Sequence, residues 1–260
     1  SREEVSIWLK RKLDSHYLVF YIDATFVHTR REKSVSKEGY YTILGIKEDG
    51  SREVLSIVNH PTEGALLWQQ ELESLKERGV QSVGLVVSDG LTSIENAIAR
   101  SFVNAQHQLC VVHLKRNILA VFPRTKRLEI GKELLEIFAI ETKNITVVEA
   151  FENLCKFVEK YKKSYPSLKS FSNQRNIAYF TYLNYPISIQ RMIYSTNWIE
   201  RLNRDYKRVL KMRGAMPSSE SVLFLMGSVA IEKEYKSYVY PVSVFREIEE
   251  LKRIIEKEEV

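Results

Sequence analysis

Apolar positions cluster in short runs over the first third of the chain and recur at helical spacing afterwards. The stretch "YLVFYIDATFVH" (17–28) is rich in aromatic and β-branched residues and predicts a strand. "GYYTILGIK" (39–47) predicts a second, and the Asp-Gly turn in "EDGS" (48–51) leads into a third, "REVLSIV" (52–58). Together they predict an antiparallel meander. "TEGALLWQQELESLKERG" (62–79) predicts a helix stopped by Gly79. "SVGLVVSD" (82–89) predicts a buried strand, "LTSIENAIARSF" (91–102) a helix, and "HQLCVVH" (107–113) a further strand ending at His113.

From about residue 114 the period becomes helical. "RLEIGKELLEIFAI" (127–140) and "TVVEAFENLCKFVEKYKKS" (146–164) carry it, with breaks at Pro166 and Pro186. Helices are expected again at 194–214, at 218–235 and over the charged C-terminal stretch. The fold class that follows is α/β, a mixed sheet and then a mostly helical half.

Of 260 residues, 44% are hydrophobic and 11% aromatic, which excludes a disordered chain. The net charge of +6 and a pI of about 9.1 favour a polyanionic partner without identifying one. Two cysteines, Cys110 and Cys155, do not suggest a disulfide framework. No run is apolar and long enough to span a membrane, and no signal-peptide core opens the chain. The chain starts without Met inside a helical pattern, so a piece of a longer protein is expected.

Three acids raise a chemical question. Asp23 closes the apolar run "YLVFYI" and Asp89 closes "VGLVVS". An acid at the end of a buried strand is costly unless compensated. Two of them at adjacent strand ends repel unless a cation lies between, and a hard divalent ion with oxygen ligands is the natural partner. Asp is also an ordinary strand-ending and turn residue, and Asp89-Gly90 is a turn dipeptide. The third acid, Glu200, stands in "YSTNWIERLNRDYKRVLKMRG" (194–214). Helical phase puts Ile199, Leu202, Tyr206, Val209 and Leu210 on one side and Glu200, Asn203, Arg204, Lys207 and Lys211 on another. An Asn197–Glu200 capping box, a Glu200–Arg204 ion pair, and a metal site beside a DNA backbone all produce that pattern.

Taken in order, "YLVFYIDATF", "LVVSDG", "QLCVVHLKRNIL" and "YSTNWIERLNRDYKR" resemble the successive motifs of Mutator-type transposases of bacterial and archaeal insertion sequences, over roughly residues 15 to 230. The resemblance implies a ribonuclease-H-like catalytic core (1–120 and 191–235), a helical insertion (121–190) before the last acid, and a C-terminal helix (236–260). It implies a DDE triad of Asp23, Asp89 and Glu200 holding Mg²⁺ or Mn²⁺, which cleaves transposon ends and transfers strands into target DNA. It also implies a Cys-x-x-His pair, Cys110 and His113, contacting phosphate or supporting the metal ligands. Asn197, Asn203, Arg204, Lys207, Arg208, Lys211, Lys115 and Arg116 are the expected DNA contacts. The expected setting is a homodimer assembled on DNA, cytoplasmic and associated with the nucleoid, with no membrane partner.

Two departures stand out. The family's N-terminal DNA-binding region is missing, since the chain starts too close to Asp23. The Trp expected in the insertion is also missing, with Phe171, Tyr179 and Phe180 as the aromatics available. The insertion cluster "KFVEKYKKSYPSLKS" (156–170) suits phosphates and unstacked bases, or equally an amphipathic helix packing its aromatics inward. Structural zinc at Cys110 and His113 lacks two further ligands at partner spacing. A ribonuclease-H-like nuclease, an inactive domesticated DNA-binding protein and a carboxylate-pair hydrolase are the rival readings. The cations beside Glu200 count against the last of these.

Overall fold

The computed structural model describes residues 1–60, 65–142, 144–211, 214–242 and 244–245, and the expected C-terminal helix lies largely outside them. Its sheet holds five strands in the order β3-β2-β1-β4-β5: β1 His16–Arg30, β2 Val35–Ile46, β3 Arg52–His60, β4 Ser82–Ser88 and β5 Gln106–Leu109. A mixed sheet flanked by helices is the fold class expected from the apolar pattern. Contacts divide the chain into two units. The first is Ser1–Val86, Leu91–Ala105 and Asn197–Val260; the second is Val87–Gly90 and Gln106–Thr196.

In the first unit β1, β2 and β3 form the expected antiparallel meander. The Asp49-Gly50 turn closes as anticipated: Gly50 takes a φ of +84° and Asp49 Oδ1 accepts from the Ser51 amide at 2.8 Å. The period of two along β1 separates two faces. Phe20 and Ile22, with Tyr41, Ile43 and Leu55, pack against Trp68, Leu72 and Leu75 of α2 (Ala65–Glu77) and Ile94 and Ile98 of α3 (Thr92–Ser101). Trp68 meets Tyr41 edge-on with ring centroids 4.9 Å apart.

Tyr21, Asp23 and Thr25 point to the other face, opposite Leu44, Thr42 and Tyr40 of β2. There α8 (Asn197–Leu210) packs on β1, and α9 (Ser219–Lys233) packs on α8 and β3. The N-terminal α1 (Arg2–Leu9) lies on α9 where Gly227 lets it approach.

The second unit is helical apart from β5 and the end of β4. It contains α4 (Val111–Val121), a short 3₁₀ turn (Arg124–Lys126), α5 (Arg127–Ile137), α6 (Val147–Tyr161), two longer 3₁₀ stretches (Pro166–Ser172 and Gln174–Asn184) and α7 (Ile187–Ile193). Thr146 and Glu149 cap α6 reciprocally. Pro166 starts the first of the longer 3₁₀ stretches and Pro186 caps α7, so both prolines act as the breaks anticipated. Phe138 and Phe180 stack in its core at 4.8 Å. Among the described residues no helix is long and apolar enough to cross a membrane.

Gly227→Ala tests the α1–α9 contact. A methyl group there collides with Val5 Cγ1, and overpacking of this kind costs about 1–3 kcal/mol. Urea denaturation is expected to show a lowered midpoint at unchanged slope.

Candidate active site

Asp23 does not end its strand. β1 continues beyond it to Arg30, so the carboxylate sits mid-strand with 8% exposure. The apolar run stops at Asp23 because the sheet face beyond it becomes polar, with Thr25 next along and Thr42 opposite. A buried carboxylate needs hydrogen bonds to offset lost hydration. Asn203 of α8 supplies one, Nδ2 donating to Asp23 Oδ2 at 2.8 Å.

That contact corrects the helical phase. Helical phase sets Asn203 with the cationic side and the resemblance makes it a DNA contact, yet it is 4% exposed and faces the sheet. Ile199, Leu202, Tyr206 and Leu210 are buried as expected, while Val209 is only partly so. The buried side of α8 is wider than its apolar residues suggested because the surface it covers contains an acid, which an amide satisfies. Glu200 is one turn before Asn203 on the same side of the helix and is partly buried. Arg201, Arg204, Lys207, Arg208 and Lys211 are exposed, as is Asn197 at the helix start. Of these, Arg208 pairs with Asp205 at 3.4 Å.

The donors around Asp23 suit a hard cation. They are the Asp23 carboxylate oxygens and the Asn203 Oδ1, a buried acceptor to which nothing among the described residues donates. Among the described residues no three His, Cys, Asp or Glu side chains gather as a ready-made metal cage.

In the second unit Asp89 directly follows β4, as expected from the sequence. Its loop is held on several sides. The Ser88 hydroxyl lies 3.0 Å from the Asp89 carbonyl oxygen and 2.7 Å from His107 Nε2. A neutral imidazole completes this pair in either tautomer. Removal from water, reinforced by the charge of Arg175, pushes the His107 ring down to about 4. Arg175 Nη2 donates to the Gly90 carbonyl at 2.7 Å, and a Cβ on Gly90 would lie 2.7 Å from Tyr179 Oη. The buried Gln108 amide joins β5 to this segment, donating to the Tyr179 carbonyl at 2.9 Å and accepting from the Tyr182 amide at 2.6 Å. None of these partners was singled out for this role from the sequence, because Arg175 and Tyr179 are remote from Asp89 along the chain. Only the Asp-Gly dipeptide hinted at a tightly held loop.

His113 does not end a strand. β5 stops at Leu109, Cys110 caps α4, and His113 lies in its first turn. The helix begins early because the Cys110 amide donates to the Ser88 carbonyl and the Val111 amide to that of Tyr194. Cys110 is fully buried, and the Thr196 amide and hydroxyl approach its Sγ at 3.4 and 3.5 Å. Burial alone pushes the thiol up. Hydrogen bonds from His113 and Thr196 outweigh it and leave the group below its ordinary value. Lys115 is half-buried over the Phe138 ring at 5.9 Å, whereas Arg116 is exposed. In the insertion, Phe157, Tyr161 and Tyr165 surround Phe122 at 6.3, 5.4 and 4.5 Å, so these aromatics pack inward. Tyr179 and Phe180 are buried as well.

The structure thus joins a mixed sheet, a buried acid on its central strand and a covering helix whose outer side is cationic. Residues 1–238 match the Mutator family of transposases, and the chain belongs to that family. It is 33% identical over 223 residues to the transposase for insertion sequence element IS905 of Lactococcus lactis, covering 85% of this chain and 55% of that protein. It is 34% identical over 230 residues to the transposase for IS1201 of Lactobacillus helveticus, covering 88% and 60%. The transposase for IS256 in transposon Tn4001 of Staphylococcus aureus is 29% identical over 231 residues, covering 88% and 58%. The chain therefore spans little more than half the length of these relatives. Among solved structures, the Drosophila P element transposase strand transfer complex aligns over 89% of this chain and 68% of that one, at a TM-score of 0.32 and 9% identity.

Two outcomes check the Asp89 loop. Gly90→Ala is expected to destabilise the protein, since Tyr179 is packed and cannot retreat cheaply. The second concerns pH. Folded His107 refuses a proton that the unfolded chain accepts below 6.5, so its contribution is fully present above pH 6.5. It is lost as pH falls toward about 4. Denaturation curves across this window are expected to lose on the order of 2 kcal/mol, and His107→Gln should flatten that dependence.

Proposed function

We propose that the protein is a DDE transposase, a polynucleotidyl transferase that nicks transposon ends and joins them to target DNA. Family membership supports the reading, as does transposase naming among its relatives. The structural observation that supports it most is the Asp23 carboxylate, buried mid-sheet and hydrogen-bonded by Asn203 of the helix that carries Glu200. A purely structural sheet has little reason to keep an acid there, because burying one costs several kcal/mol.

In this reading Asp23, Asp89 and Glu200, the acids of the three motifs, hold Mg²⁺ or Mn²⁺. Such ions activate an attacking oxygen and stabilise a leaving one when bound. Asn203 orients Asp23 and fixes the rotation of α8, which sets the direction of Glu200. The Ser88–His107 pair and Arg175 hold the backbone on either side of Asp89. Arg204, Lys207, Arg208, Lys211 and Arg116 neutralise phosphates, fixing the position of DNA without reading its sequence. His113, through Cys110, is a supporting group. The DNA-bound form would be a homodimer, one subunit for each transposon end.

Purified protein with a labelled transposon end and Mg²⁺ tests the reading. Strand cleavage and joining are expected, and cleavage without joining would instead identify a nuclease. Asp23→Asn, Asp89→Asn and Glu200→Gln should each lower cleavage by at least 10³-fold, on the order of 4 kcal/mol, with DNA binding largely kept. Arg204→Ala with Lys207→Ala should weaken binding similarly for all sequences. It should also reduce the slope of log K against log salt by about 2, one unit per lost phosphate contact.

A further inference from the structure

Asn203 is a buried amide with one half used. Its Nδ2 donates to Asp23 Oδ2 at 2.8 Å, and its Oδ1 is buried with no donor among the described residues. The orientation is dictated: turning the amide over would place its carbonyl against a carboxylate and leave the NH₂ group buried and unused. An orphaned buried acceptor costs about 1–3 kcal/mol. An apolar residue on α8 would avoid that cost, but would leave Asp23 without this hydrogen bond.

We propose that Asn203 is itself a cation ligand. One half of its amide holds Asp23, and the other offers a neutral oxygen to the divalent ion that Asp23 binds. This rests on the reading of Asp23 as a cation-holding acid. The choice of residue follows from charge. Lysine or arginine at 203 would satisfy Asp23 but compete with the ion. Aspartate or glutamate would repel Asp23 whenever the ion is absent. An amide donates to the carboxylate, leaves its charge for the cation, and brings a second hard oxygen to the same place.

Two further observations agree. Thr25, two residues along β1 on the same face as Asp23, also has a buried hydroxyl oxygen without a partner. Together with Asn203 it makes this part of the sheet face richer in oxygen acceptors than the described structure uses. Glu200 lies one turn earlier on the same side of α8 as Asn203, so the Asn203–Asp23 bond sets the direction of a further carboxylate.

The experiment is Mn²⁺ binding to the purified full-length protein, read from the EPR signal of free Mn²⁺ and from the Mn²⁺-dependent rise in melting temperature. Asn203→Ala is expected to weaken Mn²⁺ binding about tenfold. Asn203→Asp should lower the melting temperature without Mn²⁺, through repulsion with Asp23, and recover with a larger Mn²⁺-dependent rise than the wild type. Asp23→Asn is the control for the underlying reading and should lose Mn²⁺ binding further. If Asp23→Asn loses Mn²⁺ while Asn203→Ala binds as the wild type does, the ligand role is overturned and a water satisfies Oδ1. Destabilisation of Asn203→Asp with no recovery on Mn²⁺ overturns it equally, even where Asn203→Ala does not fold. If Asp23→Asn itself leaves Mn²⁺ binding unchanged, it is the reading of Asp23 that fails.

Discussion

A carboxylate buried in the middle of a β-sheet is the constraint around which the first unit is organised. Asp23 sits on β1, the central strand of the five-stranded sheet, where hydration is lost and the cost of an uncompensated charge is several kcal/mol. The sheet alternates, so this acid necessarily shares its face with Tyr21 and Thr25, and the helix above must offer something polar. α8 does so through Asn203, while keeping Ile199, Leu202, Tyr206 and Leu210 in apolar contact. Directional bonding to one acid and non-directional packing along the rest of the helix together leave α8 a single rotation on the sheet. The cations on its outer side, and Glu200 one turn earlier, take their directions from that rotation.

The second unit solves a related problem at the loop after β4. An acid next to a glycine is a mobile arrangement unless the backbone is tied. Here Ser88 links to His107, Arg175 holds the Gly90 carbonyl, and Tyr179 packs over the place where a side chain would stand. These ties come from β5 and from the 3₁₀ stretch Gln174–Asn184, which the buried Gln108 amide fastens to β5. A helical insertion is thus more than a spacer between two motifs: it supplies the contacts that shape the loop carrying the second acid. The inward packing of Phe157, Tyr161 and Tyr165 around Phe122 points the same way, toward a rigid insertion rather than an aromatic surface offered to bases.

The periodicity of apolar residues was enough to determine the meander, its Asp-Gly turn, the helices after β3 and β4, and the change to a helical half, because each follows from local rules of alternation, turn conformation and helical spacing. Motif order likewise placed Asp23, Asp89, Glu200, Cys110 and His113 as the residues of interest and the family to which they belong. Tertiary structure alone decided that His113 belongs to a helix and that Asn203 turns inward. The strand predicted over 17–28 already passes Asp23, and pairing with β2 carries it on to Arg30. β5 ends early because Ser88 and Tyr194, distant along the chain, accept the amides of Cys110 and Val111. Asn203 reads as surface in any local pattern because an amide is polar. It is buried because the opposing sheet face carries an acid 180 residues away, and hydrogen bonding to a buried charge outweighs an amide's preference for water.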